Sequence, residues 1–282
     1  MPQQIIEICE KATQLNYSDR FRSGNIIHLP ENGRLIISGD LHGHRRNFEK
    51  MVRFADLDNN PDTFVILQEV IHGGPEDELG GCLSFDLLFS AINYKIRVPR
   101  QVHLILGNHD TAVICNIDVM KAGKEMNQAM KSALRRKFAA RYDDVDCAIK
   151  QYLLSQPLAV RCPNGIWISH SLPGNRFVND FKTSVFHKKL NHSDMQRPNS
   201  VYLLTWGRRH SQKTLDKLAA LLEVDIFIIG HQPQDAGWEK AGNNLIILAS
   251  DHNHGTLIAC DLAKSYNIDE LIKCIMPIAA IE

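Results

Sequence analysis

Two hydrophobic rhythms alternate along the first part of this chain. Apolar runs at 35–37, 64–67 and 102–106 are short and continuous, as expected of strands buried on both faces. Between them Phe48, Met51, Val52 and Ala55, and then Leu83, Leu87, Leu88 and Ala91, recur at helical spacing. Residues 4–17 predict an amphipathic helix, and 26–29 with 34–38 predict a hairpin around Glu31-Asn32-Gly33. From 111 to about 156 the pattern becomes helical throughout and includes a basic segment, 131–141, predicted to form the solvated face of a helical insert. Strand character returns at 158–162, 166–170, 225–230, 244–250 and 255–260. Strands alternating with helices predict β-α-β units and an α/β fold, and no Pro/Gly/Ser linker divides residues 1–282, so one domain with an insert is expected.

Composition removes several function classes. The 32 basic and 32 acidic residues cancel, so net charge does not argue for nucleic acid or an anionic membrane as partner. No run approaches the ~18 apolar residues of a membrane span, and the first residues lack a signal-peptide pattern, so a cytoplasmic protein is expected. Seven cysteines without a Cys-x-x-Cys pair suggest reduced thiols rather than a disulfide framework or zinc knuckle.

The chemistry sits where apolar runs stop. Ser38-Gly39-Asp40-Leu41-His42-Gly43 follows the first run and places a carboxylate and an imidazole on one turn. Glu69 follows the second run, Asn108 and His109 the third, and His170 and His231 end later strands. Singly, each has an ordinary explanation: Asn108 as a helix cap, Glu69 as a loop carboxylate, His170 as a strand-end histidine bonded to backbone. Their ordered recurrence is what points to a site.

Taken together, Gly39-Asp40-Leu41-His42-Gly43, Gly107-Asn108-His109-Asp110, Ser169-His170 and Gly230-His231 resemble the successive blocks of the calcineurin-like metallophosphoesterase superfamily, in particular its phosphoprotein (serine/threonine) phosphatase branch of bacterial type. The match spans about residues 25–262. The resemblance implies two packed β-sheets flanked by helices, an α/β/β/α sandwich, and two divalent transition metal ions. Asp40 and His42 would hold the first ion, Asn108, His170 and His231 the second, with Glu69 bridging them. This mixed donor set suits manganese, iron or zinc. It further implies hydrolysis of a phosphorylated substrate, a phosphoprotein or small phosphoester, by a metal-bound hydroxide, with His109 protonating the leaving oxygen and Asp110 supporting it.

Two departures stand out. Where the family has Gly-Asp-x-x-Asp-Arg-Gly, this chain has Gln68-Glu69-Val70-Ile71-His72-Gly73-Gly74, so the bridging carboxylate is one methylene longer and the phosphate-binding arginine becomes Gly73. His72 either shares the missing arginine's duty or is a surface histidine of a glycine-rich loop. Leu204-Thr205-Trp206-Gly207-Arg208 resembles the segment carrying a second phosphate-binding arginine, which makes Arg208 the expected clamp, with Arg209 as alternative. His252 and His254, two apart, are expected to point the same way, His254 lining the pocket. Competing expectations are hydrolysis of phosphodiesters or dinucleoside polyphosphates, which the lost arginine favours, and a degenerate fold kept as a binding module.

Overall fold

The computed structural model describes residues 2–121 and 123–282. Helix α1 (Pro2–Tyr17) leads into β1 (Arg22–Ser23), β2 (Ile26–His28) and β3 (Arg34–Asp40). Then come α2 (Arg45–Ala55), β4 (Thr63–Gln68), α3 (Phe85–Arg97), β5 (Val102–Ile105) and α4 (Asn108–Cys115). A two-stranded ribbon, β6 (Met120–Lys121) and β7 (Lys124–Glu125), precedes α5 (Met126–Phe138) and α6 (Tyr142–Ser155). The second half contains β8 (Ala159–Arg161), β9 (Ile166–Ser169), α7 (Ser200–Trp206), α8 (Gln212–Leu222), β10 (Ile226–Ile229), β11 (Trp238–Ala241), β12 (Leu245–Leu248), β13 (Thr256–Asp261), α9 (Ile268–Ile272) and β14 (Ile275–Pro277).

These strands form two large sheets, ordered β14-β13-β3-β4-β5 and β1-β2-β8-β9-β10-β12-β11. Single strands show why both sheets are buried. Leu35 and Ile37 of β3, Phe64 and Ile66 of β4, and Ile226 and Ile228 of β10 meet in the layer between the sheets. Their alternates Ile36, Val65, Leu67, Phe227 and Ile229 pack under the helices. With a period of two and apolar residues at every position, each strand needs a cover on both sides, which is the α/β/β/α sandwich.

The expected hairpin does not form. β2 runs parallel to β8 in one sheet, while β3 lies between β13 and β4 in the other. Ile27 meets Leu35 and Ile37 across the layer between the sheets rather than along a ladder, because facing apolar surfaces bury more than a lone two-stranded ribbon does. The helical stretch after 111 is observed as α4, α5 and α6 with the ribbon inserted, and α6 packs against α1. The basic segment on α5 faces solvent, where Arg136 pairs with Asp77 and Lys137 with Asp86. Edge strand β11 was not legible as a strand, since Glu239 and Lys240 at its centre are exposed and only its antiparallel pairing to β12 defines it.

β3, β4 and β5 are parallel, as are β9, β10 and β12, so their carboxyl ends collect on one side of the sandwich. There the sheets touch. Ala249 bridges to Asp40, and Ser250 N–H donates to the Asp40 carbonyl at 3.0 Å. Gly39 allows this approach: a Cβ there would lie 2.2 Å from the Leu248 carbonyl oxygen.

Candidate active site

Each strand end delivers a side chain to this junction. Asp40 closes β3, and both of its carboxylate oxygens accept from His231 N–H, at 3.0 and 3.1 Å. Gly230 makes room, since a Cβ there would stand 2.2 Å from Asp40 Oδ1. His42 Nδ1 lies 2.9 Å from the Ile71 carbonyl, which only accepts. Nδ1 therefore carries the hydrogen, and the Nε2 lone pair faces Asp40 Oδ2 at 3.5 Å. His42, Glu69, His72 and His231 all have positive φ, between 39° and 66°. Such strain in non-glycine residues concentrates where geometry serves a site.

Asn108, first residue of α4, is the hub. Its Oδ1 lies 2.8 Å from His170 Nε2 and 3.0 Å from His231 Nδ1. Donors bound to one ion at ~2.0–2.2 Å stand about 3 Å apart, which is this spacing. Glu69 Oε2 is 3.4 Å from His170 Nε2 and accepts from His109 N–H at 3.0 Å, while His170 Nδ1 is 3.6 Å from Asp40 Oδ1. Glu69 Oε1 and His170 Nδ1 are buried without a hydrogen-bond partner. Among the described residues no group of three or more His, Cys, Asp or Glu side chains is by itself placed to hold a metal ion. The grouping here is completed by the Asn108 amide oxygen, and with the orphaned Glu69 Oε1 it fits divalent transition metals.

Electrostatics agree with that fit. Burial raises the Glu69 carboxyl well above its ordinary range, helped by Asp110 and Asp40 nearby. Burial also lowers His170 to about 4 and His231 well below the usual histidine value. Asp40 is pulled upward by burial, but His170 and His42 overcome this and hold it below its ordinary value. Neutral imidazoles are the ligand form, and a cation between the carboxylates would relieve the repulsion that keeps Glu69 high.

His109 lines the cleft beside this cluster. Its Nδ1 lies 2.6 Å from His72 Nδ1, leaving Nε2 as its free ring nitrogen. This corrects both readings of His72, which is fully buried and reaches neither substrate nor solvent. Asp110 does not support His109 either. Its Oδ2 accepts from Gly107 N–H at 2.9 Å, because successive helical residues point ~100° apart and this carboxylate folds back over the first turn of α4.

The cleft encloses about 290 Å³, and Asp40, His42, Asn108, His109, Arg208 and His231 are among its walls. Arg208 Nη2 donates to the His231 carbonyl at 3.3 Å, and its Nε lies 3.1 Å from His231 Nε2. Arg209 lines a neighbouring cavity instead. His254 is exposed outside the cleft, whereas His252 lines it, its Nε2 held 2.9 Å from the Gln234 carbonyl. The β6–β7 ribbon contributes a residue that the sequence did not mark. Lys121 reaches the cleft and pairs with Asp251 at 3.6 Å. Its only signal was a lysine beside a glycine turn.

The family model for calcineurin-like phosphoesterases matches residues 33–265. The chain belongs to the calcineurin-like phosphoesterases. This phosphoesterase is thus a hydrolase of phosphate esters, in a family that generally uses divalent metal ions. Its fold is similar to that of a Saccharomyces cerevisiae protein serine/threonine phosphatase with similarity to human phosphatase PP5, at 16% identity, covering 92% of this chain and 82% of that one, with a TM-score of 0.71. A cold-active protein-tyrosine phosphatase of a psychrophilic Shewanella species is 12% identical, with 87% and 78% covered and a TM-score of 0.58. Curated proteins gave no match. No described helix is long and apolar enough to cross a membrane.

Proposed function

We propose that this phosphoesterase hydrolyses phosphomonoesters at a two-metal centre. The observation that carries the reading is the convergence of His170 Nε2 and His231 Nδ1 on Asn108 Oδ1, next to Asp40, His42 and Glu69. Asp40 and His42 would hold one ion, Asn108, His170 and His231 the other, and Glu69 would reach both. Bound ions of this kind activate water and neutralise phosphoryl charge.

The chain's own residues do the rest. Lys121 and Arg208, both lining the cleft, grip the phosphoryl oxygens, and Arg208's hydrogen bond to the His231 carbonyl holds its guanidinium there. As the imidazolium, protonated on both nitrogens, His109 gives its Nε2 proton to the leaving oxygen, and burial with His42 nearby sets its pKa well below the usual histidine value. His72, neutral because burial lowers it to about 3, accepts the His109 Nδ1–H and fixes the ring. A carboxylate at that position would hold the imidazolium more tightly; a neutral imidazole makes His109 a stronger acid that is less often charged.

Glycine at 73 favoured a diesterase, but Lys121 returns a second cation to the cleft, which suits the doubly charged monoester. Purified protein supplied with Mn²⁺ should bind about two ions per chain and cleave 4-nitrophenyl phosphate faster than bis(4-nitrophenyl) phosphate. Asn108→Ala should lose both bound metal and turnover. A wild-type protein that takes up no transition metal would overturn the reading.

A further inference from the structure

Beside the catalytic cleft lies a second cavity of about 440 Å³, and Arg208 lines both. Its other cationic walls are Arg176, Arg197 and Arg209, with no acidic residue among its lining. Among the described residues the arginine ion pairs lie elsewhere, at Arg45, Arg97, Arg136 and Arg141. Exposed arginines are ordinarily solvated singly. Here guanidinium groups from separate segments are gathered into one concavity, where like charges oppose each other.

The local backbone is built for that gathering. Asn175 N–H donates to the Arg209 carbonyl at 3.2 Å, and Gly174 packs so close that a Cβ would stand 2.3 Å from the Arg208 carbonyl oxygen. Arg209 itself has φ of 63°, a conformation side chains rarely adopt. The aromatic residues of the cavity are already engaged. Arg197 and Arg176 sit over the Phe177 ring at 4.7 and 5.3 Å, and Tyr202 stacks on Trp206 at 5.8 Å and 12°. The rings therefore orient the guanidinium groups, and the chemistry left open to a ligand is that of an anion.

We propose that this cavity is a subsite for a second phosphoryl group on the substrate, bridged to the scissile phosphate through Arg208. The inference rests on the phosphomonoesterase reading and narrows it to substrates carrying two phosphates. The second phosphate belongs either to a small polyphosphate or to a doubly phosphorylated peptide, and the test separates them.

Turnover with Mn²⁺ is compared for 4-nitrophenyl phosphate, for ADP against AMP, and for a synthetic peptide with two phosphoserines against the same peptide with one. One two-phosphate substrate should exceed its single-phosphate counterpart at least tenfold in kcat/KM, and the pair that shows it names the source. Arg176→Ala/Arg197→Ala should erase that preference. Equal kcat/KM within both pairs, or a preference that survives the double variant, overturns the subsite. Calorimetric titration with inorganic pyrophosphate is independent of turnover: binding should weaken at least fivefold in the double variant, and unchanged binding also overturns it. Failure of the phosphomonoesterase reading would show separately, as absent turnover of every substrate with the pyrophosphate difference intact.

Discussion

Asn108 and Gly107 show how much one position decides. A Cβ at Gly107 would lie 2.3 Å from Glu69 Oε2 and 2.8 Å from its carboxyl carbon. Gly107→Ala should displace the Glu69 carboxylate and lower kcat at least tenfold while the far-ultraviolet circular dichroism stays that of the wild type. His109→Asn keeps a side chain at the cleft but removes the acidic Nε2. It should reduce kcat by about 10²-fold with bound metal unchanged; unaltered turnover would refute the proton donor. Lys121→Ala should mainly raise KM for 4-nitrophenyl phosphate, by about tenfold, with Lys121→Arg restoring most of it. At this scale the sequence was informative about residue type and, through the family resemblance, about the grouping of Asn108 with His170 and His231, but blind to the partners of His109 and Asp110. His109 was legible from its motif, whereas its contact with His72 depends on the first turn of α4 and a loop that helix α3 and strand β5 separate from it along the chain.

At the scale of elements, strands ending in polar residues were readable because every inward and outward position is apolar. The pairing of those strands was not. Nothing in residues 26–38 distinguishes a hairpin from two strands in facing sheets, since both satisfy the same apolar pattern and only the packing of the two sheets against each other chooses. The β6–β7 ribbon is a similar case. Its residues carry no periodicity, yet it delivers Lys121. Where the sheets touch, Gly39→Ala should force β3 away from the Leu248 carbonyl. Overpacking of this kind costs about 1–3 kcal/mol, and each kcal/mol should lower the melting temperature by about 2–4 °C in a chain of this size. A melting temperature equal to wild type would show that β12 can yield.

For the whole molecule, stability depends on keeping buried imidazoles neutral. His103 is fully buried, 3.4 Å from Asp19 Oδ2, and Lys95 Nζ pairs with the same oxygen at 3.1 Å. Burial, reinforced by Lys95, pushes the His103 pKa down to about 3. In the unfolded chain it returns to about 6.5, so above that pH both states are neutral and the contribution is complete. Below it the unfolded chain binds the proton first, and stability falls by about 1.4 kcal/mol per pH unit until the folded value is reached. Urea midpoints for metal-free protein should drop between pH 7.5 and 5.5, and His103→Gln should flatten that slope. An identical slope in the variant would move the effect to other groups.

The sequence by itself determined the α/β class, the strand ends and the residue types that bring metal-binding and acid-base chemistry to them, because burial pattern and chemical identity are local properties written in the order of the residues. Only the tertiary structure decided that His72 backs His109, that Asp110 turns back to Gly107, and that Lys121 and the arginine cavity flank the cleft. Apart from the Asp110 turn, those relations are distances between segments far apart in the chain, and they arise when two sheets close on each other at Gly39.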